Sequence, residues 1–239
     1  MSATARSAAS SKPPLTEQVY FMVRDRILCG AFPPGAVLSR RKLADEFGMS
    51  FLPISAALQR LESEGLLESR PRVGTRVRTP TPDEVRGRYV VREALEAQSA
   101  RLCCERVTFQ ERIELQRMAE QLDSLYARSA AAERDMAFES AVHQNHMNLH
   151  LRIAEYARCP ELKETIERNQ VLIFNWFYDV TAERRLLPER FHRDLIDAIC
   201  GDDPRAADEA MRLHVRYGLE ATLKAVEHHA TTDAWRLKR

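Results

Sequence analysis

Apolar residues in the first third of the chain recur at helical spacing, and glycine or proline interrupts them at short intervals. The first apolar segment stops at Gly30, and the second and third are joined by a turn at Gly48. Two short segments with strand character follow on either side of Pro71 and Gly74, which indicates a hairpin. We therefore predict helices at residues 15–29, 39–47 and 50–64 and a hairpin at residues 66–78.

Two prolines in the segment 79–82 indicate a domain boundary, because proline breaks regular structure and stiffens a connection. Beyond it we find only helical patterns. Thr81 with Glu84, and Thr108 with Glu111, have the spacing of capping boxes, which mark helix starts. The fold class is therefore mainly α, with an all-α helical bundle as the C-terminal part. We predict its helices at residues 82–105, 109–127, 131–157, 160–179, 182–200 and 204–229.

The length and the charge distribution suit two domains with different partners. A chain of 239 residues is long enough for two compact cores. Residues 1–80 carry 12 basic and 7 acidic side chains, whereas the rest of the chain carries 24 and 28. A basic head on an acidic body suits nucleic-acid binding. We place a disordered tail at 1–14, the two domains at 15–80 and 81–229, and a C-terminal tail at 230–239.

The composition indicates neither a membrane nor an oxidising compartment. The sequence has no run of about 18 apolar residues to span a bilayer, and its N-terminus lacks the apolar stretch of a secretory signal. The five cysteines are an odd number, and none has C-x-x-C spacing. We therefore expect free thiols in a cytoplasmic protein.

The order of helix, short helix, turn, helix and hairpin is the plan of a winged helix-turn-helix, whose third helix enters the major groove of DNA. Over about 65 residues this segment resembles the DNA-binding domain of the GntR family. The resemblance implies a transcriptional regulator that binds a double-stranded DNA operator. It rests on residues 27–30, Pro34-Gly35, Leu43-Ala44, residues 47–50, Pro53, Ala57-Leu58, residues 60–62, residues 64–66 and Gly74.

The predicted recognition helix departs from the family at two positions. Relatives usually open it with Ser-Arg-x-Pro-Val-Arg, whereas this chain has Phe51 and Ser55 in place of the two arginines. Arginine binds guanine, but phenylalanine offers only an apolar contact, for example to a thymine methyl. We therefore expect an altered base preference. The resemblance implies DNA contacts from Arg40, Arg41, Ser50, Phe51, Pro53, Ser55, Arg72, Gly74, Thr75 and Arg76.

The basic run Arg40-Arg41-Lys42 also has a simpler interpretation as a solvated helix face. Many charge runs are no more than that. The position of this run beside the predicted recognition helix favours DNA contact, and Arg41 stands where the family often has a DNA-contacting arginine.

The helical part resembles the FCD-type sensor domain of the FadR subfamily over roughly residues 82–229. Many such domains hold a divalent metal ion through one aspartate and three histidines. The resemblance implies ligation by His150, His192 and His214, but His146 stands where the aspartate is expected. It rests on residues 91–96, Leu149-His150, residues 160–162, Phe191-His192, Ala198-Ile199, Met211 and His214.

Helix geometry permits this exchange, because residues i and i+4 share one helix face, so His146 and His150 can converge on one ion. His143 lies on the same face one turn earlier and could take the fourth position. An imidazole in place of a carboxylate favours zinc or nickel over magnesium or manganese. We expect zinc bound by His146, His150, His192 and His214, although each histidine alone is equally explained as a hydrogen-bonded core residue.

An organic acid that displaces a metal-bound water is the expected effector. Arg92 lies on the first helix of the domain, as in relatives that bind organic acids, and would hold the other end of the ligand. A salt bridge to Glu96, four residues on, is the alternative role for Arg92.

These features predict a ligand-responsive transcriptional regulator, a repressor, that binds an inverted repeat as a homodimer. Two alternatives stay open. One is a DNA-binding dimer whose C-terminal domain is vestigial, and the other is a metal-dependent hydrolase. The sequence has no H-E-x-x-H motif and no evident general base beside the histidines, so we assign no catalytic residue and expect no enzyme.

Overall fold

A computed structural model describes residues 13–28, 30–70, 74–131, 135–178 and 187–236. The chain forms two compact units, of which the first holds the residues up to 27 and residues 35–78, and the second holds residues 28–34 and 79–239. Arg72 and nearly all of the tail expected at residues 1–14 lie outside the described residues.

The first unit is a winged helix-turn-helix, as the sequence predicts. The predicted hairpin is confirmed by antiparallel pairing of Arg70 with Gly74. The sequence did not predict a short third strand, which pairs with the second hairpin strand and gives the sheet order β1-β3-β2. The elements are α1 (Leu15–Leu28), β1 (Val37–Leu38), α2 (Arg40–Phe47), α3 (Phe51–Ser63), β2 (Leu67–Arg70) and β3 (Gly74–Val77).

Local sequence sets the limits of α2, and apolar packing orients α3. The Ser39 side chain caps α2 by accepting a hydrogen bond from the backbone N–H of Lys42. Gly48 ends α2 with a φ of 63°, a left-handed conformation that favours glycine. Helices α1 and α3 each bury an apolar face within the first unit, and α3 packs against α2 and β2. This core includes Val19, Val23, Ile27, Ile54, Ala57, Leu58 and Leu61.

The second unit is a bundle of six helices built around the pairing of α4 with α9. A hydrogen bond of 2.8 Å joins the buried hydroxyls of Tyr89 on α4 and Thr222 on α9. Gly218 lies at this contact, where an added Cβ would be at an ordinary van der Waals distance of 3.6 Å from the Tyr89 side chain. The helices are α4 (Pro82–Arg106), α5 (Phe109–Ala131), α6 (Met136–Tyr156), α7 (Pro160–Tyr178), α8 (Phe191–Ile199) and α9 (Pro204–Arg236).

Both predicted capping boxes are present. Thr81 and Glu84 bond each other's backbone N–H at the start of α4. At the start of α5, the backbone N–H of Thr108 donates to a Glu111 carboxylate oxygen at 2.9 Å. These reciprocal bonds satisfy backbone groups that a helix start leaves unpaired, and they fix where α4 and α5 begin.

Three helix limits differ from the prediction by at least five residues. The start of α6 moves to Met136, because the side chain of Asp135 accepts hydrogen bonds from two N–H groups of the first turn. The start of α8 lies at Phe191 rather than 182, where the Pro188 carbonyl accepts a hydrogen bond from the Phe191 N–H. The end of α9 lies at Arg236, so most of the expected tail at 230–239 is helical, since neither glycine nor proline follows Gly218.

Within the described part of the chain, no helix combines the length and the apolar character needed to cross a membrane. The four cysteines described there, Cys103, Cys104, Cys159 and Cys200, are free thiols.

Candidate nucleic-acid interface and metal centre

The first turn of α3 presents two large apolar side chains to the surface. Phe51 is 55% exposed and Leu52 is 80% exposed. Ser50, immediately before them, is exposed and its hydroxyl makes no capping hydrogen bond. The first turns of α2 and α3 contain no acidic residue. This end of α3 therefore offers apolar groups, a hydroxyl and the positive end of a helix dipole, all of which suit a DNA groove.

The basic residues expected to contact DNA differ in their exposure. On α2, Arg41 is exposed and Arg40 is half-buried. On β3, Arg76 is half-buried and forms an ion pair with Glu68 of the neighbouring strand. Arg41 is therefore the better placed of these three arginines to reach a phosphate or a base edge.

The structure corrects two members of the expected DNA-contact set. Pro53 is buried in the first turn of α3. Thr75 is 1% exposed, and its hydroxyl lies 3.0 Å from that of Ser69. The reason is the alternation of β3, which turns Thr75 inward and leaves Gly74 and Arg76 on the outer face. Ser55 is half-buried, and Gly74 is exposed with a φ of 98°, a conformation that favours glycine.

Four histidines from three helices meet in the core of the second unit. His146 and His150 lie on α6, His192 on α8 and His214 on α9. The Nε2 atom of His150 lies 2.9 Å from that of His146 and 3.2 Å from that of His214, and the last two are 3.1 Å apart. Ligand atoms of His146, His192 and His214 all lie within 4.8 Å of one another. Three of the four predicted ligands therefore form a group able to hold one ion among the described residues, and His150 contacts two of them through its Nε2 atom.

Protons alone do not account for this arrangement of nitrogen atoms. The Nδ1 atom of His150 lies 2.5 Å from a carboxylate oxygen of Glu96, an ion-pair contact whose angle is not that of a regular hydrogen bond, and because a carboxylate can only accept, we place the proton on Nδ1. His150 Nε2 therefore presents a lone pair toward His146 and His214. The Nε2 atoms of His146, His150 and His214 form a triangle with three short sides. Hydrogen bonds along all three sides would need three N–H groups, and the Nε2 atom of His150 supplies none. A cation bound between these nitrogens would resolve the conflict.

His192 is oriented in the same way by a second carboxylate. Its Nδ1 atom lies 2.7 Å from Oδ1 of Asp123, on α5. Its Nε2 atom is buried and has no hydrogen-bond partner among the described residues. A buried polar atom without a partner is costly, which makes this nitrogen a candidate metal ligand.

His146 and His143 differ in their relation to the cluster. His146 Nδ1 lies 3.2 Å from the hydroxyl of Tyr126, so its Nε2 atom is directed to the other histidines. His143 is half-buried one turn earlier, with its ring 6.3 Å from the Tyr126 ring. Among the described residues, the group able to hold one ion consists of His146, His192 and His214 and includes neither His143 nor His150, although His150 Nε2 lies 2.9 Å from His146 Nε2.

The environment lowers the pKa of His146, His192 and His214 and so favours their neutral form, which is the form that binds metals. Burial is the largest cause that lowers the pKa of His146 and His214 well below the ordinary value, and neighbouring imidazoles lower both further. Burial also lowers the pKa of His192, against the opposing effect of Asp123. The pKa of His143 falls to about 4 through burial alone.

The donor set fits zinc. Four nitrogens around a tetrahedral zinc ion at about 2.0 to 2.1 Å lie about 3.4 Å apart. The separations of 2.9 to 3.2 Å among His146, His150 and His214 are slightly shorter, and the ligand atom of His192 lies within 4.8 Å of those of His146 and His214, so small movements would be needed to seat an ion. Imidazole is also a donor that zinc, copper and nickel prefer over magnesium.

Arg92 lies next to this cluster and is largely buried. Its side chain is 11% exposed, and its Nε atom donates to Glu96 at 2.8 Å. The alternative salt bridge is thus present, but it is internal to the bundle. Arg92 also contributes to the lowered pKa of His146 and His214, after burial and the other imidazoles. Its charge therefore acts on the metal-ligand candidates.

Comparison with known proteins identifies both units. Residues 15–77 match the profile of the bacterial regulatory proteins of the gntR family, and residues 88–217 match that of the FCD domain. The chain belongs to the GntR family, in the group with an FCD domain. This GntR-family protein is accordingly a DNA-binding transcriptional regulator. Members of the family are regulators rather than enzymes, and FCD domains can bind a metal ion.

Several relatives match nearly the whole GntR-family protein. A probable D-xylose utilization operon transcriptional repressor of Paenarthrobacter nicotinovorans is 30% identical over 90% of this chain and 93% of its own. The repressor RspR of Escherichia coli K12 is 25% identical over 89% of this chain and 91% of its own. The solved structure of E. coli McbR/YncC matches with a TM-score of 0.73 at 24% sequence identity. The match covers 89% of this chain and 99% of the other, which supports the fold.

Sequence reasoning missed three residues that orient the histidines, namely Glu96, Asp123 and Tyr126. Glu96 appeared only as a helical partner of Arg92. Asp123 is 69 residues from His192 in the sequence and carries no local signal. Only the packing of α5 against α6 and α8 brings Asp123 and Tyr126 to the cluster.

Proposed function

We propose that this GntR-family protein is a repressor whose FCD domain binds one zinc ion and a small organic acid, and that the acid changes its affinity for operator DNA. The observation that carries the proposal is the convergence of imidazole nitrogens on a buried point beside Arg92. Zinc would be held by His146, His150, His192 and His214 and would attract a carboxylate as a fifth ligand, since zinc can expand from four to five ligands.

Arg92 suits the second end of an acidic ligand. A guanidinium binds a carboxylate in a two-pronged geometry, and this one is already held beside the histidines by Glu96. A ligand carboxylate would compete with Glu96 for Arg92, so ligand binding would rearrange α4. Because α4 follows the DNA-binding unit directly in the chain, it is a suitable element to transmit the change.

The test measures metal and DNA binding together. Purified protein is expected to contain about one zinc ion per chain by elemental analysis. Its affinity for an operator fragment is then measured with a panel of small organic acids, with and without a chelator. A metal-free protein whose DNA affinity ignores every acid would instead indicate a dimer with a vestigial C-terminal domain.

We expect the protein to bind an inverted repeat as a homodimer. Each chain has one recognition helix, and a two-fold symmetric dimer presents two of them to half-sites separated by about 34 to 36 Å, or a multiple of it. Sedimentation equilibrium with and without operator DNA measures the state. A monomer that retains tight operator binding would contradict the expectation.

Replacement of Arg41 by alanine is expected to weaken operator binding. If the guanidinium contacts a base, the free energy of operator binding should weaken by about 1 to 3 kcal/mol. If it contacts a phosphate, the slope of log affinity against log salt concentration should fall by about one unit. The salt dependence of the dissociation constant separates the two cases. Lys12→Ala, also in the basic N-terminal region, is the matched loss of charge. Equal affinity of wild type and Arg41→Ala at every salt concentration would make Arg41 a solvated charge only.

Restoring the family's arginines is expected to change the preferred operator. The double variant Phe51→Arg with Ser55→Arg adds two cations, so non-specific affinity and its salt slope should rise, and selected sites should gain guanine in each half-site. Selection from a random DNA library measures the change.

The wild type should lose affinity when uracil, which lacks the methyl group, replaces thymine in its selected site, and the double variant should not. Identical selected sites for both proteins would show that Phe51 and Ser55 do not determine specificity.

A further inference from the structure

The cluster of four histidines contains no negatively charged ligand. Four neutral imidazoles around a divalent ion leave two positive charges in the core of the bundle, whereas an aspartate ligand would neutralise one of them. Burying uncompensated charge is expensive. Two carboxylates outside the donor set, Glu96 and Asp123, lie against the far side of two of these imidazoles.

Glu96 is placed to act on His150. It lies on α4, is 2% exposed, and approaches Nδ1 of His150 at 2.5 Å. The Nε2 atom of the same ring faces the cluster. Arg92 holds the other side of this carboxylate at 2.8 Å, which fixes its orientation.

Asp123, on α5, is placed to act on His192. It is 8% exposed and accepts four hydrogen bonds, from Nδ1 and the backbone N–H of His192 and from the backbone N–H and Nε of Arg193. Two of these donors are N–H groups at the start of α8. Asp123 therefore fixes the first turn of the helix together with the ring of His192, and directs Nε2 inward.

We propose that Glu96 and Asp123 are positioning residues of the metal centre, each holding one histidine in its Nδ1–H tautomer and supplying through that ring a negative charge that the all-histidine donor set lacks. The inference rests on the metal site proposed above. A carboxylate that accepts from the outer N–H of a ligating histidine raises the basicity of its inner nitrogen and sets the ring's direction.

The experiment compares two isosteric substitutions with two matched controls. Glu96→Gln and Asp123→Asn keep an oxygen that accepts hydrogen bonds but remove the charge. Glu93→Gln on α4 removes a carboxylate that binds Arg212 and Arg216, and Glu114→Gln on α5 removes one that binds Tyr156. Neither control residue has a hydrogen bond or ion pair with a histidine among the described contacts.

Zinc affinity of the full-length protein is measured by competition with a chromophoric chelator. Glu96→Gln and Asp123→Asn are each expected to lower it by about 10- to 100-fold, and both controls should match wild type. Thermal unfolding of each metal-free variant tests whether the fold persists. Should either amide variant fail to fold, Glu96→Asp or Asp123→Glu, which keep the charge, are expected to retain more zinc affinity than the amides.

A second measurement does not require metal. Nitrogen NMR of histidine-labelled, metal-free protein reports the tautomer, and His150 and His192 are expected as Nδ1–H in wild type. The Asp123→Asn and Glu96→Gln variants should shift the matching ring toward Nε2–H, an effect that a purely structural role would not produce.

The outcomes separate the two proposals. Zinc binding by wild type with equal affinity in Glu96→Gln, Asp123→Asn and the controls would overturn this inference and leave the metal site intact. Wild-type protein that binds no zinc would overturn the proposed metal function, and the inference with it.

Discussion

Replacing His192 by alanine is expected to reduce bound zinc from about one ion per chain to less than about one-tenth, because the loss of one imidazole donor weakens zinc binding and the chelating buffer then competes for the ion. His192 is the only member of the set that α8 contributes, and its Nε2 atom has no other described hydrogen-bond partner. Elemental analysis after exhaustive dialysis measures the loss. The same result is expected for His214→Ala.

The matched control is His143→Ala. It removes an imidazole from the helix that carries His146 and His150 and lies outside the group able to hold one ion among the described residues. It should retain zinc. Full metal content in both His192→Ala and His214→Ala would refute the site, and loss of zinc in His143→Ala would make His143 the fourth ligand. The DNA-binding unit expressed by itself contains none of these histidines. Its operator binding should therefore not depend on zinc.

Acidification of the metal-free protein from pH 7.5 to 5.5 is expected to destabilise the FCD domain. In the folded chain burial lowers the pKa of His143 to about 4, whereas in the unfolded chain it returns to about 6.5. Between these values the unfolded state binds more protons, so stability falls as the pH falls. His143 alone accounts for about 1 kcal/mol at pH 5.5. The lowered pKa values of His146, His192 and His214 act in the same direction.

The two carboxylates next to the cluster do not reverse this sign. Arg92 and His150 outweigh burial and hold the pKa of Glu96 below its usual range, and hydrogen bonds from His192 do the same for Asp123. Their contribution to stability is present above a pH of about 4 and is lost only below it. The window between pH 7.5 and 5.5 therefore reports the histidines.

Urea denaturation followed by tryptophan fluorescence measures the stability of the second unit, because both tryptophans of the chain, Trp176 and Trp235, belong to it. The midpoint should fall with pH at a constant m-value. His143→Gln, which removes one titrating ring, should reduce the pH dependence by about 1 kcal/mol. An unchanged midpoint from pH 7.5 to 5.5 would show that the buried imidazoles do not resist protonation.

Several elements were predictable because their signals are local. The capping boxes at Thr81 and Thr108 fixed the starts of α4 and α5, since the bonds span only three residues. The left-handed turn at Gly48 separated α2 from α3 for the same reason. The short strand β1 and the late start of α8 were missed, since Val37 pairs with Arg76 across 39 positions and the Phe191 turn depends on Pro188.

The candidate sites divide in a similar way. The spacing of His146 and His150 on one helix face was readable from the sequence, and their Nε2 atoms do lie 2.9 Å apart. The burial of Thr75 and Pro53 was not anticipated, because a resemblance assigns positions to an interface without showing which side chains the core takes.

The sequence by itself determined the two-domain plan, the family, the helix starts with local caps and the four histidines that converge. These follow from helical periodicity, from hydrogen bonds over three or four residues and from motif order. Only the tertiary structure decided that Glu96 and Asp123 orient the histidines and that Arg92 is paired inside the bundle. Those contacts join α4, α5, α6 and α8 across the core, where the partner of a buried polar atom is selected by packing rather than by distance along the chain.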